Sequence, residues 1–114
     1  MLKSKKPKPI GLFVPKDTHQ KGDLHIEGRV RIEGRFTGNL EAEDSVVITP
    51  SGCFTGTCNA TSIEVYGECD GKIRTSDRFS LRKGGRFTGL LDTNRLTIED
   101  QSSFLGELRL AGEA

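Results

Sequence analysis

The chain has no tryptophan, one tyrosine and one methionine, and only 33% of its 114 residues are hydrophobic. A compact globular domain of this length would have little material for a core. An elongated repeat protein needs only two or three apolar residues on each side of each repeat. The net charge is +1, so the chain as a whole indicates no strongly charged partner. No stretch shows the 3.6-residue apolar period of a long helix, which argues against a helical fold.

Long apolar runs are also missing. The longest run near the N-terminus, residues 12–14, is far shorter than the hydrophobic segment of a signal peptide or a membrane span. We therefore expect neither an export signal nor a transmembrane segment. Three cysteines, an odd number without an export signal, indicate reduced thiols and a location in the cytoplasm.

Fourteen glycines are present, and many fall in a repeated block. The block consists of two glycines that flank a central aromatic residue, with one variable residue on each side. Cysteine takes the aromatic slot in the third copy, and the fifth copy lacks its first glycine. The copies span residues 34–38, 52–56, 67–71, 85–89 and 102–106. Their closing glycines are 18, 15, 18 and 17 residues apart, and such a period predicts one structural unit used many times.

Within each period apolar and polar residues alternate, which is typical of a strand with one buried face. The same residue type recurs at the same place in every period. A parallel coil needs this recurrence, because each coil stacks on the next about 4.8 Å away. The predicted columns of stacked side chains are Phe36, Phe54, Cys69, Phe87 and Phe104; Leu40, Cys58, Ile73, Leu91 and Leu108; Val30, Val46, Ile63, Phe79 and Leu96; and Ile32, Ile48, Val65, Leu81 and Ile98.

Three strand-like pieces in each period predict an all-β fold, a parallel β-helix that forms a triangular solenoid of about six coils. Parallel crossovers favour a right-handed path. We predict a disordered basic tail at 1–21, the β-helical core at 22–110 and a short C-terminal end at 111–114. The tail has six lysines and one acidic residue, and the remainder has eleven basic and fifteen acidic residues.

This pattern resembles that of the bactofilin family. The resemblance is carried by residues 22–28 (GDLHIEG) and 34–42 (GRFTGNLEA) with its repeats, and it covers residues 20–110. Cys69 and the missing glycine at position 102 depart from it. Bactofilins are bacterial cytoskeletal proteins with a right-handed β-helical core and flexible tails, and they polymerise end to end without a nucleotide. The resemblance implies a filament-forming scaffold that positions proteins for cell shape or envelope synthesis.

The N-terminal tail suggests membrane binding. Some bactofilins begin with a membrane-targeting peptide of methionine, a large apolar residue and lysines, and residues 1–5 are similar. Apolar residues beside lysines can insert shallowly into an anionic bilayer while the lysines contact the head groups. The residues expected to do so are Met1, Leu2, Lys3, Lys5, Lys6 and Lys8, followed by the short apolar stretch 10–14. A solvated tail that keeps assemblies soluble is the alternative.

No capping helix or charged cap is encoded at either end of the predicted solenoid. Uncapped ends expose unpaired strand edges, which pair with other chains. The predicted polymerisation interface consists of Leu24, Ile26, Phe104, Leu108 and Leu110. The partners we expect are further copies of the chain, anionic lipid on the inner face of the cytoplasmic membrane, and protein clients. A discrete β-solenoid that binds a carbohydrate or a protein is the alternative function.

Enzymatic chemistry has little support, and we predict no catalytic residue, cofactor or metal. His19 falls in the predicted tail, His25 should face outward, and neither has a partner at a recognisable spacing. Cys58 and Cys69 fall in inner columns, whereas Cys53 falls outside and is a candidate for oxidation. We expect no nucleic-acid binding, because no aromatic platform or recognition helix accompanies the tail lysines.

Overall fold

The computed structural model describes residues 9–110, which form ten strands of one parallel sheet. No helix occurs in this part of the chain. The strands are β1 (Ile10–Val14), β2 (His19–Ile26), β3 (Arg29–Ile32), β4 (Arg35–Ala42), β5 (Ser45–Ile48), β6 (Cys53–Val65), β7 (Glu68–Leu81), β8 (Arg86–Thr93), β9 (Arg95–Ile98) and β10 (Ser103–Leu110).

The strands wind into six coils, each with a short strand segment followed by a longer one. Coil 1 contains β1 and β2, coil 2 contains β3 and β4, and coil 3 contains β5 and the first part of β6. Coil 4 contains the rest of β6 and the first part of β7, coil 5 the rest of β7 and β8, and coil 6 β9 and β10. The parallel solenoid predicted from the repeat period is thereby confirmed.

The predicted columns are confirmed residue by residue. Phe36 is paired with Phe54, Phe54 with Cys69, Cys69 with Phe87, and Phe87 with Phe104. The leucine column and the two valine and isoleucine columns have the same register. The residues of coils 2 to 5 in these columns are buried. Their burial provides the hydrophobic stabilisation, which is worth about 1.5–3 kcal/mol for each large apolar side chain.

A fifth inward column, which the sequence did not predict, contains small and polar side chains. Ala42, Ala60, Thr75 and Thr93 are buried there, and the Thr75 hydroxyl donates a hydrogen bond to the Thr93 hydroxyl. Thr93 in turn donates to the backbone carbonyl of Arg95 at 3.0 Å. These bonds satisfy the buried hydroxyl groups, which would otherwise carry a desolvation cost.

The closing glycines of the repeated block form a column of their own, with φ between +132° and +144° from Gly38 to Gly106. An ideal Cβ on any of these five residues would lie 1.8–2.1 Å from the carbonyl oxygen of the equivalent glycine one coil earlier. Gly22 has the same backbone conformation, yet no atom of residues 9–110 lies within 4 Å of its Cβ position. The coils are therefore packed so closely at this corner that only glycine fits between them.

The predicted boundary between tail and core at residue 22 is wrong for residues 10–21. The structure places β1 and the start of β2 in this range, and Val14, 2% exposed, lies in the core. Leu12 is paired with Val30 and Val14 with Ile32, so two core columns begin one coil earlier than expected. The prolines of the predicted tail were interpreted as a sign of disorder, but Pro9 and Pro15 flank a strand instead of interrupting it. Residues 1–8 and 111–114 lie outside the described range.

Candidate functional site

The terminal coils have free strand edges. Within residues 9–110, β1 and β2 pair only with the strands of coil 2, and β9 and β10 pair only with strands of coil 5. Each terminal strand therefore presents backbone donors and acceptors on one side. Such an edge is a template for pairing with another chain.

Exposed apolar surface is concentrated at the same two coils. The large apolar side chains that are exposed within residues 9–110 are Ile10 and Phe13 on coil 1, and Ile98, Leu105, Leu108 and Leu110 on coil 6. Their exposed fractions range from 40% for Leu108 to 63% for Leu105. Coils 2 to 5 instead bury their inward apolar residues between neighbouring coils. The apolar surface is thus exposed where the stacking ends.

The residues predicted to mediate polymerisation lie at the two ends. Leu24 and Ile26 on coil 1 are partly buried and pack against the core. Phe104 is also partly buried, and its ring stacks on that of Phe87 at a centroid distance of 5.0 Å. Leu108 and Leu110 are exposed. More apolar surface is therefore exposed at the C-terminal end than at the N-terminal end.

The prediction missed several residues of these ends. Leu12 belongs to the N-terminal end surface with Leu24 and Ile26, and Leu96 and Ile98 belong to the C-terminal one with the three predicted residues. A spacing could have revealed Leu12. Val14 precedes Gly22 by eight residues, as Ile48 precedes Gly56, which would have placed Leu12 and Val14 on a coil of their own.

A ladder of charges holds the last coil in register. The Arg82 guanidinium donates from Nη2 to Glu64 Oε2 at 2.7 Å and from Nη1 to Glu99 Oε2 at 2.9 Å, and thus connects coils 4, 5 and 6. The backbone N–H of Lys83 donates to Glu99 Oε1 at 2.9 Å. This N–H and the Arg82 guanidinium hold the pKa of Glu99 below its ordinary value. The C-terminal end surface is consequently presented by a coil in defined register.

The thiols and histidines form no reactive group in the described range. Burial raises the pKa of Cys58 to about 12 and also raises that of Cys69, so both remain protonated at neutral pH. Burial and the Glu68 carboxylate raise the pKa of Cys53, which makes its oxidation less favourable than expected from sequence. His25 is exposed and lies 2.9 Å from Glu43 Oε2. His19 is in β2 and not in a tail, with Nε2 2.9 Å from the Thr37 hydroxyl.

Among residues 9–110 there is no helix with the length and hydropathy of a transmembrane span. In the same range, no three histidine, cysteine, aspartate or glutamate side chains are grouped to hold a metal ion.

Comparisons with known proteins agree with this architecture. A family model for bactofilins, described as polymer-forming cytoskeletal proteins, matches residues 12–109. Bactofilin BacO of Myxococcus xanthus (strain DK1622) is 25% identical over 87 residues, which cover 76% of this chain and 69% of BacO. A cryo-EM reconstruction of Thermus thermophilus bactofilin double helical filaments is similar with a TM-score of 0.77 and 28% identity. This match covers 84% of the present chain and 95% of the Thermus chain.

Proposed function

The chain belongs to the bactofilin family of polymer-forming cytoskeletal proteins, and from this premise we propose that it is a non-enzymatic scaffold whose solenoids join end to end into filaments. Assembly requires no nucleotide, since the joint is made by strand edges and apolar side chains alone. The filaments lie in the cytoplasm, attach to the inner face of the cytoplasmic membrane through residues 1–8, and position client proteins for cell shape or envelope synthesis.

One observation carries the assembly proposal. Within the described residues, both terminal coils combine strand edges without a neighbour and inward apolar side chains that no further coil covers, which are exposed on coil 6 and partly buried on coil 1. Covering both in one joint satisfies the free backbone groups and removes Leu108 and Leu110 from water. The similar Thermus protein forms double helical filaments, which supports filament formation by this solenoid.

Phe104→Arg tests the C-terminal joint. Burial of an unpaired charge in a joint typically costs about 3–5 kcal/mol, which corresponds to a rise of more than about a hundredfold in the critical concentration for assembly. We expect monomers or dimers by sedimentation and negative-stain microscopy. Since Phe104 is partly buried in the monomer, a second variant, Leu110→Arg, separates assembly from folding, because Leu110 is 58% exposed before assembly.

Thr88→Arg is the matched control. Thr88 is exposed and outward on coil 5, in register with Leu105 of coil 6, and is not itself on a terminal coil. This variant adds the same charge and should assemble as the wild-type chain does. Long filaments formed by both Phe104→Arg and Leu110→Arg would show that the C-terminal coil is not a joint.

Membrane attachment is tested by deletion of residues 2–8, which removes Leu2 and four lysines. The deleted chain should no longer float with anionic liposomes but should still form filaments. Unchanged flotation would refute attachment through this segment. The alternative function, a discrete solenoid that binds a carbohydrate or a protein, predicts a small species whose sedimentation is independent of concentration.

A further inference from the structure

The outward side of β1 combines two exposed apolar side chains with the start of the lysine-rich N-terminal segment. Ile10 is 50% exposed and Phe13 is 48% exposed. Leu12 and Val14 of the same strand point into the core, where they are paired with Val30 and Ile32. The earlier expectation that the whole stretch 10–14 inserts into a bilayer is therefore wrong for the residues that are packed in the core.

A β-bulge places Ile10 on this side. The register shifts between Ile10 and Leu12, so that Ile10 is paired with Arg29, which immediately precedes the inward Val30. Gly11 occupies the bulge, and an ideal Cβ there would lie only 2.7 Å from Cγ2 of Ile26. The extra residue thus turns Ile10 to the same side as Phe13, which is paired with the exposed Arg31.

Stacking of a second chain on coil 1 would leave these two side chains uncovered. Such a joint covers the free edge and the inward residues, namely Leu12, Leu24 and Ile26, whereas Ile10 and Phe13 project sideways from the strand. Polymerisation alone therefore does not explain why they are apolar. The equivalent positions of later coils include Ser45 and Ser62 for Ile10, whereas the Phe13 column continues with Arg31, Val47, Glu64, the buried Ser80, and Thr97.

The lysines that precede β1 in the sequence indicate which partner covers the outward side of this strand. The Pro9 carbonyl accepts a hydrogen bond from the Arg29 N–H at 3.0 Å, which fixes the point where residues 1–8 join coil 1. Lys3, Lys5, Lys6 and Lys8 precede it. Exposed Lys16 lies two residues after the end of β1, whereas the Arg31 Nε lies 2.7 Å from Glu33 Oε2.

We propose that the outward side of coil 1, formed by Ile10 and Phe13, is a lipid-contacting surface that inserts into the interface of an anionic bilayer while the neighbouring lysines bind its head groups. This rests on the proposed membrane attachment and deepens it. Two apolar side chains on a rigid strand set the orientation of the rod, so that the side carrying β1 and β3 faces the membrane. Apolar residues flanked by lysines are what interfacial binding to anionic lipid requires.

The test is flotation of the full chain with vesicles of phosphatidylglycerol and phosphatidylcholine, and with phosphatidylcholine alone. The variant Ile10→Ser/Phe13→Thr uses residue types found at equivalent positions of other coils, so the fold should be retained. Its partition onto anionic vesicles should fall by about tenfold or more, since two half-exposed side chains lose their burial in the interface. The control Leu90→Thr, an outward position in register with Lys72 and Thr57, should bind as the wild-type chain does.

A second readout locates the insertion directly. Because the chain has no tryptophan, Phe13→Trp introduces a single tryptophan that can be excited selectively at a wavelength where the one tyrosine does not absorb. Its emission should shift to the blue with anionic vesicles and be quenched by brominated lipid, whereas Leu90→Trp should show neither effect.

Three outcomes overturn the inference in distinguishable ways. If the deletion of residues 2–8 abolishes flotation while Ile10→Ser/Phe13→Thr floats normally, the N-terminal segment alone binds lipid, and the proposed attachment stands. If the double variant changes filament width by electron microscopy but not flotation, the surface is a lateral contact between filaments. If the wild-type chain does not float, the proposed membrane attachment and this surface both fail, while end-to-end assembly remains unaffected.

Discussion

Replacing Gly71 with alanine would place a methyl group between coils 3 and 4. The ideal Cβ lies 1.8 Å from the carbonyl oxygen of Gly56, 2.8 Å from its carbonyl carbon and 3.0 Å from its nitrogen. All three are rigid backbone atoms. The two coils would have to separate locally by more than about 1 Å, which breaks neighbouring backbone hydrogen bonds. The φ of +138° adds strain for any residue other than glycine.

The expected loss of stability can be divided between these two causes. Backbone strain at such a φ costs about 1–3 kcal/mol. Loss of one or two ladder hydrogen bonds, with buried groups left unpaired, adds about 1–3 kcal/mol for each. Gly71→Ala should therefore lower the free energy of unfolding by about 2–9 kcal/mol, the sum of the two causes.

Gly22→Ala separates strain from steric overlap. Gly22 has φ +133°, but no atom of residues 9–110 lies within 4 Å of its Cβ position. The free energy of unfolding of Gly22→Ala should fall only by the cost of backbone strain, about 1–3 kcal/mol. Urea denaturation followed by circular dichroism, at a dilution where sedimentation detects no filaments, measures both variants without a contribution from assembly. Equal decreases in the free energy of unfolding of Gly71→Ala and Gly22→Ala would refute the close stacking of coils at the glycine column.

Further predictions concern ionisable groups. The pKa of Glu99 is lowered from its ordinary value of 4.5, so its contribution to stability is present above that pH and is lost as the pH falls through the lowered value. Glu99→Gln should reduce the melting temperature at pH 7 and have a smaller effect below pH 4.5 by circular dichroism; an equal effect at pH 3 would contradict the Arg82–Glu99 ladder. Because Cys58 and Cys69 are buried with raised pKa values, a thiol reagent at pH 8 should label only Cys53 in the native chain and all three thiols after unfolding. Fast labelling of a second native thiol would show that the inner columns open.

Coils 2 to 5 could be predicted from the sequence because each coil repeats the residue pattern of the coil before it. In coils 2 to 5 most inward positions have an apolar residue above and below them, and the period alone sets the register of Phe54 on Phe36. Cys69 departs from the aromatic pattern and still falls in its column, since the flanking glycines and the alternation of polar and apolar residues fix its place.

The first coil could not be predicted in the same way. Its aromatic slot holds Gln20, which is paired with Phe36, and its short strand lies between two prolines and near several lysines. Each of these features locally favours an extended, solvated tail. Coil 1 forms nevertheless because Leu12 and Val14 bury apolar surface on coil 2, a tertiary contact that local composition does not encode.

The ends were predicted in part. Residues with an inward position, such as Leu24 and Leu108, follow from the columns, and the structure places them on the terminal coils; their role in the joint stays a prediction. The outward apolar residue Leu105 was missed, because its departure from the polar pattern of its column is visible only once the register is known. Phe13 was named only as part of the stretch 10–14, and its outward position likewise required the register. The steric reason for the closing glycines could not be predicted, because it depends on the spacing between coils.

Negative-stain electron microscopy of the purified wild-type chain in nucleotide-free buffer tests the central claim most directly. The free strand edges of coils 1 and 6, together with their uncovered inward apolar residues, predict unbranched filaments that lengthen with protein concentration. Uniform small particles at every concentration, with a sedimentation coefficient that does not change, would contradict end-to-end assembly.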